Sequence, residues 1–190
     1  MLRFDEVAPV LRDRFERAQL IAIDGMPVSG KTTLAMRLAD AFDFDILHFD
    51  DFVLPRRLRS RHMGPAYPFP YFRIDAFRQA VTDLQRDGQC TYQPFDWKTG
   101  RLSRQMRTLV RRGPVIVEGC STLDPVLAPH YDLRLFVESD RASALAARTL
   151  RDGNSDVINW RELYLPSADL YLATNPRARA DYVVAGRGIE

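Results

Sequence analysis

The chain has 190 residues, enough for one domain with a full core. Its hydrophobic content of 46% excludes a disordered segment, and a formal net charge of +2 is too mild for a nucleic-acid binder by composition alone. No apolar run approaches a membrane span, and the opening MLRFDEVAPVLRDRF is charged throughout, without the apolar segment of a secretory signal. Cys90 and Cys120 form no metal or redox spacing. The expectation is therefore a cytoplasmic protein of one domain, 1–190, with a small-molecule ligand and neither membrane nor nucleic acid as partner. The oligomeric state stays open.

In chain order, residues 2–17 place Leu2, Val7, Val10, Leu11 and Phe15 near helical spacing. Pro9 argues against an unbroken helix, so a surface helix starting near Pro9 is expected. A buried strand follows at Gln19–Asp24, then GMPVSGKT, Gly25–Thr32, and an Ala- and Leu-rich helix to about Phe42. The stretch fits G-x-x-x-x-G-K-[ST], set between strand and helix as a phosphate-binding loop requires. Gly25 and Gly30 would let main-chain N–H groups approach phosphates, with Met26, Pro27, Val28 and Ser29 forming the arch between them. The helix aims its free N–H groups at the same place. Lys31 would supply a cation for the β- and γ-phosphates, Thr32 a hydroxyl for Mg²⁺, and Thr33 a hydrogen bond to a further phosphate.

Phe44–Phe52 predicts a second strand ending at Asp50–Asp51. Functional groups gather beyond the carboxyl ends of such strands, which favours Asp50 as a working carboxylate; a solvated turn or helix cap is the plainer reading. Leu54–Phe72 holds four prolines and reads as irregular. Its arginines, Arg56, Arg57, Arg59 and Arg61, form either a solvated face or an anion-binding lip. Asp75–Asp87 predicts an amphipathic helix stopped by Gly88. In Thr91–Ser103, Phe95 and Trp97 flank Asp96, an arrangement that suits a sandwiched flat ligand or ordinary core. Pro114–Gly119, PVIVEG, is a buried strand ending in Glu118, a second acid at a strand end and hence a candidate for metal or phosphate chemistry. Tyr131–Glu138 is a fourth core strand and Arg141–Leu150 a helix, with Arg148 and Arg151 on one face. Asp156–Leu172 predicts a helix interrupted or bent at Pro166, and Asp181–Ala185 a last strand. The alternation predicts a three-layer α/β domain with a mainly parallel sheet.

Taken together, GMPVSGKTT, DDF (Asp50–Phe52), PFDWKTGRL (Pro94–Leu102), VIVEG (Val115–Gly119), RTLRD (Arg148–Asp152) and ADYVVAG (Ala180–Gly186) resemble the uridine kinase and nicotinamide riboside kinase branch of the P-loop kinases. The resemblance covers about Leu20–Gly186. It implies a P-loop NTPase fold with five parallel strands ordered 2-3-1-4-5, a helical lid at about 148–160, and an acceptor-binding insertion at about 53–104. It further implies transfer of the γ-phosphoryl group of ATP, with Mg²⁺, to a small-molecule hydroxyl. Asp50 matches the general base, Thr32 and Glu118 the Mg²⁺ shell, Arg148 and Arg151 the lid arginines, and Phe95, Asp96 and Trp97 the acceptor site. One departure stands out. Where such kinases carry a carboxylate for the ribose hydroxyls, this chain has YPFPYFRI, Tyr67–Ile74, with Arg73 or Pro68 at that position. Arginine there suggests an anionic acceptor, since guanidinium only donates hydrogen bonds.

Overall fold

The computed structural model describes residues 1–60, 63–152 and 159–189. Five strands form the central sheet: β1 (Leu20–Gly25), β2 (Asp45–His48), β7 (Val115–Glu118), β8 (Leu133–Glu138) and β9 (Tyr182–Ala185). They are parallel and ordered β2-β7-β1-β8-β9. Counted as core strands this is 2-3-1-4-5, the order implied by the resemblance. β1 is the middle strand and is buried along its whole length, which is why it reads as an unbroken apolar run up to Asp24.

Two apolar clusters flank the sheet. On one side, α1 (Val7–Arg17) and α2 (Lys31–Phe42) cover Ile21, Ile23, Leu133 and Leu135. α1 starts at Val7, two residues before the expected start. Pro9 fits because it falls in the first turn, where its missing N–H would have no intrahelical partner. Val7, Leu11 and Phe15 repeat every fourth residue and are all buried.

On the other side, α3 (Ile74–Asp87) packs Phe77, Ala80, Val81 and Leu84 into a cluster with Leu20, Leu47, Val117 and Tyr171. Gly88, in the left-handed region at φ +71°, ends α3 as expected. Beyond it lie two antiparallel pairs that alternation alone did not separate: β3 (Gln89–Tyr92) with β6 (Arg107–Val110), and β4 (Phe95–Asp96) with β5 (Arg101–Leu102). The described residues of 54–72 are largely irregular, with a short 3₁₀ turn at Arg56–Leu58 and a bridge between Val53 and Phe72.

After β8 comes α4 (Arg141–Asp152). A π-helical turn, Trp160–Tyr164, leads into α5 (Leu165–Leu172), which holds Pro166 in its first turn. The change from π- to α-helix falls just before Pro166, which has no N–H to donate one turn back. Among the described residues no helix is long and apolar enough to cross a membrane.

Candidate active site

The loop Gly25–Thr32 joins β1 to α2 at the carboxyl end of the sheet. Gly25 has φ +152°, and a Cβ there would lie 2.4 Å from the Val137 carbonyl oxygen, so no side chain fits. Val28 also takes a positive φ, +65°, a conformation a β-branched residue adopts only under constraint. Lys31 folds back across the arch, its Nζ donating to Met26 O at 3.0 Å, and is 8% exposed. Inside the arch, Ser29 Oγ is buried without a hydrogen-bond partner among the described residues. Buried hydroxyls without partners are rare, and a bound phosphate oxygen would satisfy this one. Thr32 and Thr33 are exposed at the start of α2.

Parallel register sets the carboxylates beside this loop. Glu118 pairs with Ile23 on one side and His48 on the other, so it stands at the strand ends next to the arch. Its side chain is 3% exposed and accepts two hydrogen bonds, from Thr32 Oγ1 at 3.1 Å and His48 Nδ1 at 2.8 Å. The bond to Glu118 raises the His48 pKa above its usual value, against the opposing effect of burial. Gly119 follows, with φ +150°. A Cβ there would lie 2.2 Å from Phe49 Cβ, so glycine lets the next turn seat directly on the strand end. That turn is a 3₁₀ segment, Phe49–Phe52, anchored by buried Phe49 and Phe52 with Asp50 and Asp51 between them.

The two acids have different surroundings. Asp51 Oδ2 accepts from Arg107 Nη1 at 2.7 Å and Tyr92 OH at 2.9 Å, so it ties the turn to the β3–β6 pair. Asp50 is exposed on the other face of the turn. Its field reaches His48, Tyr71 and Cys120.

Of the predicted acceptor residues, Arg73 has a role that spacing could not show. Its Nη2 donates to the carbonyls of Asp51, 2.8 Å, and Gln93, 2.6 Å, while its guanidinium lies 5.5 Å from the Phe52 ring centroid. Burial lowers its pKa. These contacts make it a brace between the Asp50–Asp51 turn and the hairpins. Asp96 is likewise engaged locally: it accepts from Lys98 N at 2.9 Å, Thr99 N at 3.4 Å and Thr99 Oγ1 at 2.8 Å, closing the β4–β5 turn. Phe95 is buried with the Arg59 guanidinium 5.4 Å from its ring centroid, and Trp97 stands edge-on to it, 57% exposed. Arg148 is 4% exposed, 5.3 Å from the Trp160 ring centroid. The side chain of Arg151, residues 153–158 of the expected lid, and Arg61 of the expected lip lie outside the described residues.

Sequence reasoning missed Asp24. This carboxylate is fully buried at the end of β1, where it accepts from Leu123 N at 2.6 Å, Gly25 N at 2.5 Å, Ser121 N at 3.4 Å and the Tyr171 hydroxyl. Burial raises its pKa, opposed by these hydrogen bonds and by the charge of Lys31. Asp24 thus pins the phosphate loop to the segment after β7 and to α5. The signal was an acid closing the apolar run LIAID. Tyr171→Phe removes one donor from this carboxylate and is expected to cost about 1.5–3 kcal/mol of stability. Urea unfolding measures it, and a change under about 0.5 kcal/mol would mean that the tyrosine hydroxyl holds nothing in place. A second cluster, also unforeseen, joins Asp124 to Arg78 Nη2 at 3.2 Å and to the Tyr67 hydroxyl, locking α3 and the 66–69 stretch to the same segment.

Among the clefts that the described residues line are two. One, of about 440 Å³, is lined by Asp45, Ile46, Arg112 and the β6 strand, outside the phosphate loop. The other, of about 310 Å³, is lined partly by Ser29, Gly30 and Thr33 of the loop and its helix.

No family model matches the sequence, and no curated protein does. The architecture has clear counterparts among solved structures. A possible uridine kinase from Bacillus stearothermophilus superposes with a TM-score of 0.69 at 22% identity, over 92% of this chain and 99% of its own. A candidate fructose transport system kinase from Silicibacter gives 0.74 at 21% identity, over 96% and 99%. This chain has the P-loop kinase fold. A D-glycerate 3-kinase from Cryptococcus neoformans shares that P-loop kinase fold at a TM-score of 0.55 and 13% identity, over 93% of this chain and 86% of its own.

Proposed function

We propose that the protein is an ATP- and Mg²⁺-dependent kinase that phosphorylates a hydroxyl of a small metabolite. The observation that carries this reading is the placing of Lys31, Thr32 and Glu118 around one loop end, with the exposed Asp50 turn seated on the neighbouring strand. A protein that only bound nucleotide would have no use for Asp50. The likeness in shape to structures described as kinases supports the same reading.

Phosphoryl transfer needs positioning and charge neutralisation more than covalent chemistry. The arch Gly25–Gly30 and Lys31 hold the donor phosphates. Asp50 accepts the proton of the attacking hydroxyl. Arg148, with Arg151, screens charge on the moving group and helps exclude water, a competing acceptor. Thr32 Oγ1 and Glu118 Oε2, 3.1 Å apart, are hard oxygen donors of the kind Mg²⁺ takes when it shares its shell with substrate phosphates. When bound, the metal neutralises charge on the β- and γ-oxygens. Glu118→Gln keeps the shape but weakens that ligand. It is expected to raise the Mg²⁺ concentration for half-maximal rate several-fold; an unchanged Mg²⁺ dependence would make Glu118 purely structural.

The acceptor is proposed to be anionic. Residues 53–112 carry thirteen Lys and Arg against four Asp and Glu, although the whole chain is nearly neutral. Arg78, Arg86 and Arg107 are matched by carboxylates, but the segment, joined to the Asp50–Asp51 turn through Arg73 and Arg107, keeps a strong positive excess. Such a field concentrates anions near the site. An acceptor screen read by ADP release tests this, with phosphorylated and carboxylated alcohols set against ribonucleosides and neutral sugars. Efficient turnover of a neutral ribonucleoside would refute the anionic acceptor and leave the kinase reading intact.

A further inference from the structure

The donor phosphates account for one side of the loop only. β1 is the middle strand, so the loop has a β2–β7 side, where Glu118 and Asp50 stand, and a β8–β9 side. A triphosphate whose γ end meets Glu118 and Asp50 must send its nucleoside out on the β8–β9 side. The cleft of about 310 Å³ lies there, lined by Gly30, Thr33, Arg37, Gly186, Arg187 and Phe4.

Phe4 reaches this place by a specific device. Leu2 bridges in parallel to Val184: Leu2 N donates to Val183 O at 2.8 Å and Ala185 N to Leu2 O at 2.7 Å. The N-terminal arm so extends the sheet past β9 and sets the Phe4 ring over the phosphate loop, 3.2 Å from where a Gly30 Cβ would stand. Arg37, exposed on α2, holds its guanidinium 5.9 Å from the Phe4 ring centroid. Arg187, also in the lining, is fixed by its Nε to Val28 O at 3.0 Å and its N to Ser29 O at 3.3 Å. The lining so brings together one aromatic ring and two guanidinium groups, side chains whose faces suit the face of a base.

The edges of a base find little that discriminates. Ala185 N donates to Leu2 O, Gly186 N to Glu138 O and Arg187 N to Ser29 O, so these main-chain donors at the end of β9 are already engaged. Among the described residues the lining has no carboxylate or amide side chain. Strong rejection of a wrong base requires buried groups that pair with the right one.

We infer that Phe4 and Arg37 form the wall of the donor's nucleoside subsite, holding the base by its face, so that purine and pyrimidine nucleoside triphosphates serve alike. This rests on the proposed kinase reading. The test compares direct binding of ATP, GTP and CTP with that of inorganic tripolyphosphate, which fills the phosphate cradle and has no base. In the unmodified protein all three nucleotides should bind more tightly than tripolyphosphate and within about ten-fold of one another. Phe4→Leu keeps an apolar side chain on the arm and removes the ring face; it should narrow the gap between nucleotide and tripolyphosphate by roughly three- to ten-fold. Arg37→Ala, a change on an exposed helix face that leaves the fold alone, should narrow it in the same direction. A gap unchanged in both variants, or a preference for one base above about 100-fold, would overturn the inference while the kinase reading stands. Failure of the unmodified protein to bind any of the four would overturn both.

Discussion

Lys31→Ala is expected to lower kcat by 10²–10³-fold or more while the protein stays folded. Loss of a single donor aimed at developing charge in a water-poor site has about this effect, and Lys31 also carries a full charge. The fold should survive because Asp24, the buried carboxylate whose charge Lys31 offsets, keeps its four hydrogen-bond donors, and the lysine's own hydrogen bond is to Met26 O within the same loop. Thermal melts should therefore stay cooperative, with a midpoint lowered modestly by the lost charge beside Asp24. Near-normal phosphotransfer by the alanine variant would remove the loop from the chemistry.

Asp50→Asn is the second large effect. An amide keeps the size of the side chain and cannot take a proton, so a fall in kcat of about 10²–10⁴-fold is expected, with nucleotide binding little changed. Asp51→Asn makes the contrast. Its carboxylate is held by Arg107 and Tyr92, so the variant should lose stability as the turn loosens from β3–β6, with a smaller direct effect on the chemical step. Steady-state rates beside urea unfolding for both variants separate the two roles. If Asp51→Asn shows the kinetic loss and Asp50→Asn does not, the base has been assigned to the wrong member of the pair.

Local patterns carried much of this architecture. The phosphate loop announced itself because its chemistry demands fixed residue types at fixed spacing, between an apolar strand and an Ala-rich helix. The strand order came through the resemblance, since alternation of elements says nothing about which parallel strands are neighbours. What stayed hidden was decided by distant partners. Asp24 looks like an ordinary strand-ending acid until Leu123 and Tyr171 close over it. Asp96 looked like a ligand group because it is charged and sits among aromatics, and Arg73 because it stands where the resemblance places a carboxylate. Arg73 instead braces main chain across a gap of twenty residues, and Asp96 closes its own turn. Phe4 could not be placed at all from spacing: its position depends on Leu2 pairing with the far end of the chain.

The central claim, transfer of a phosphoryl group to a small molecule, is tested most directly by product mass. The protein is incubated with ATP, Mg²⁺ and a mixed pool of hydroxyl-bearing metabolites rich in phosphorylated and carboxylated members. The expected result is one or a few metabolites gaining a single phosphoryl group, in step with ADP, with the unmodified protein and not with Lys31→Ala. Nucleotide binding with no phosphorylated product across the pool, or ADP formed only alongside free phosphate, would contradict it.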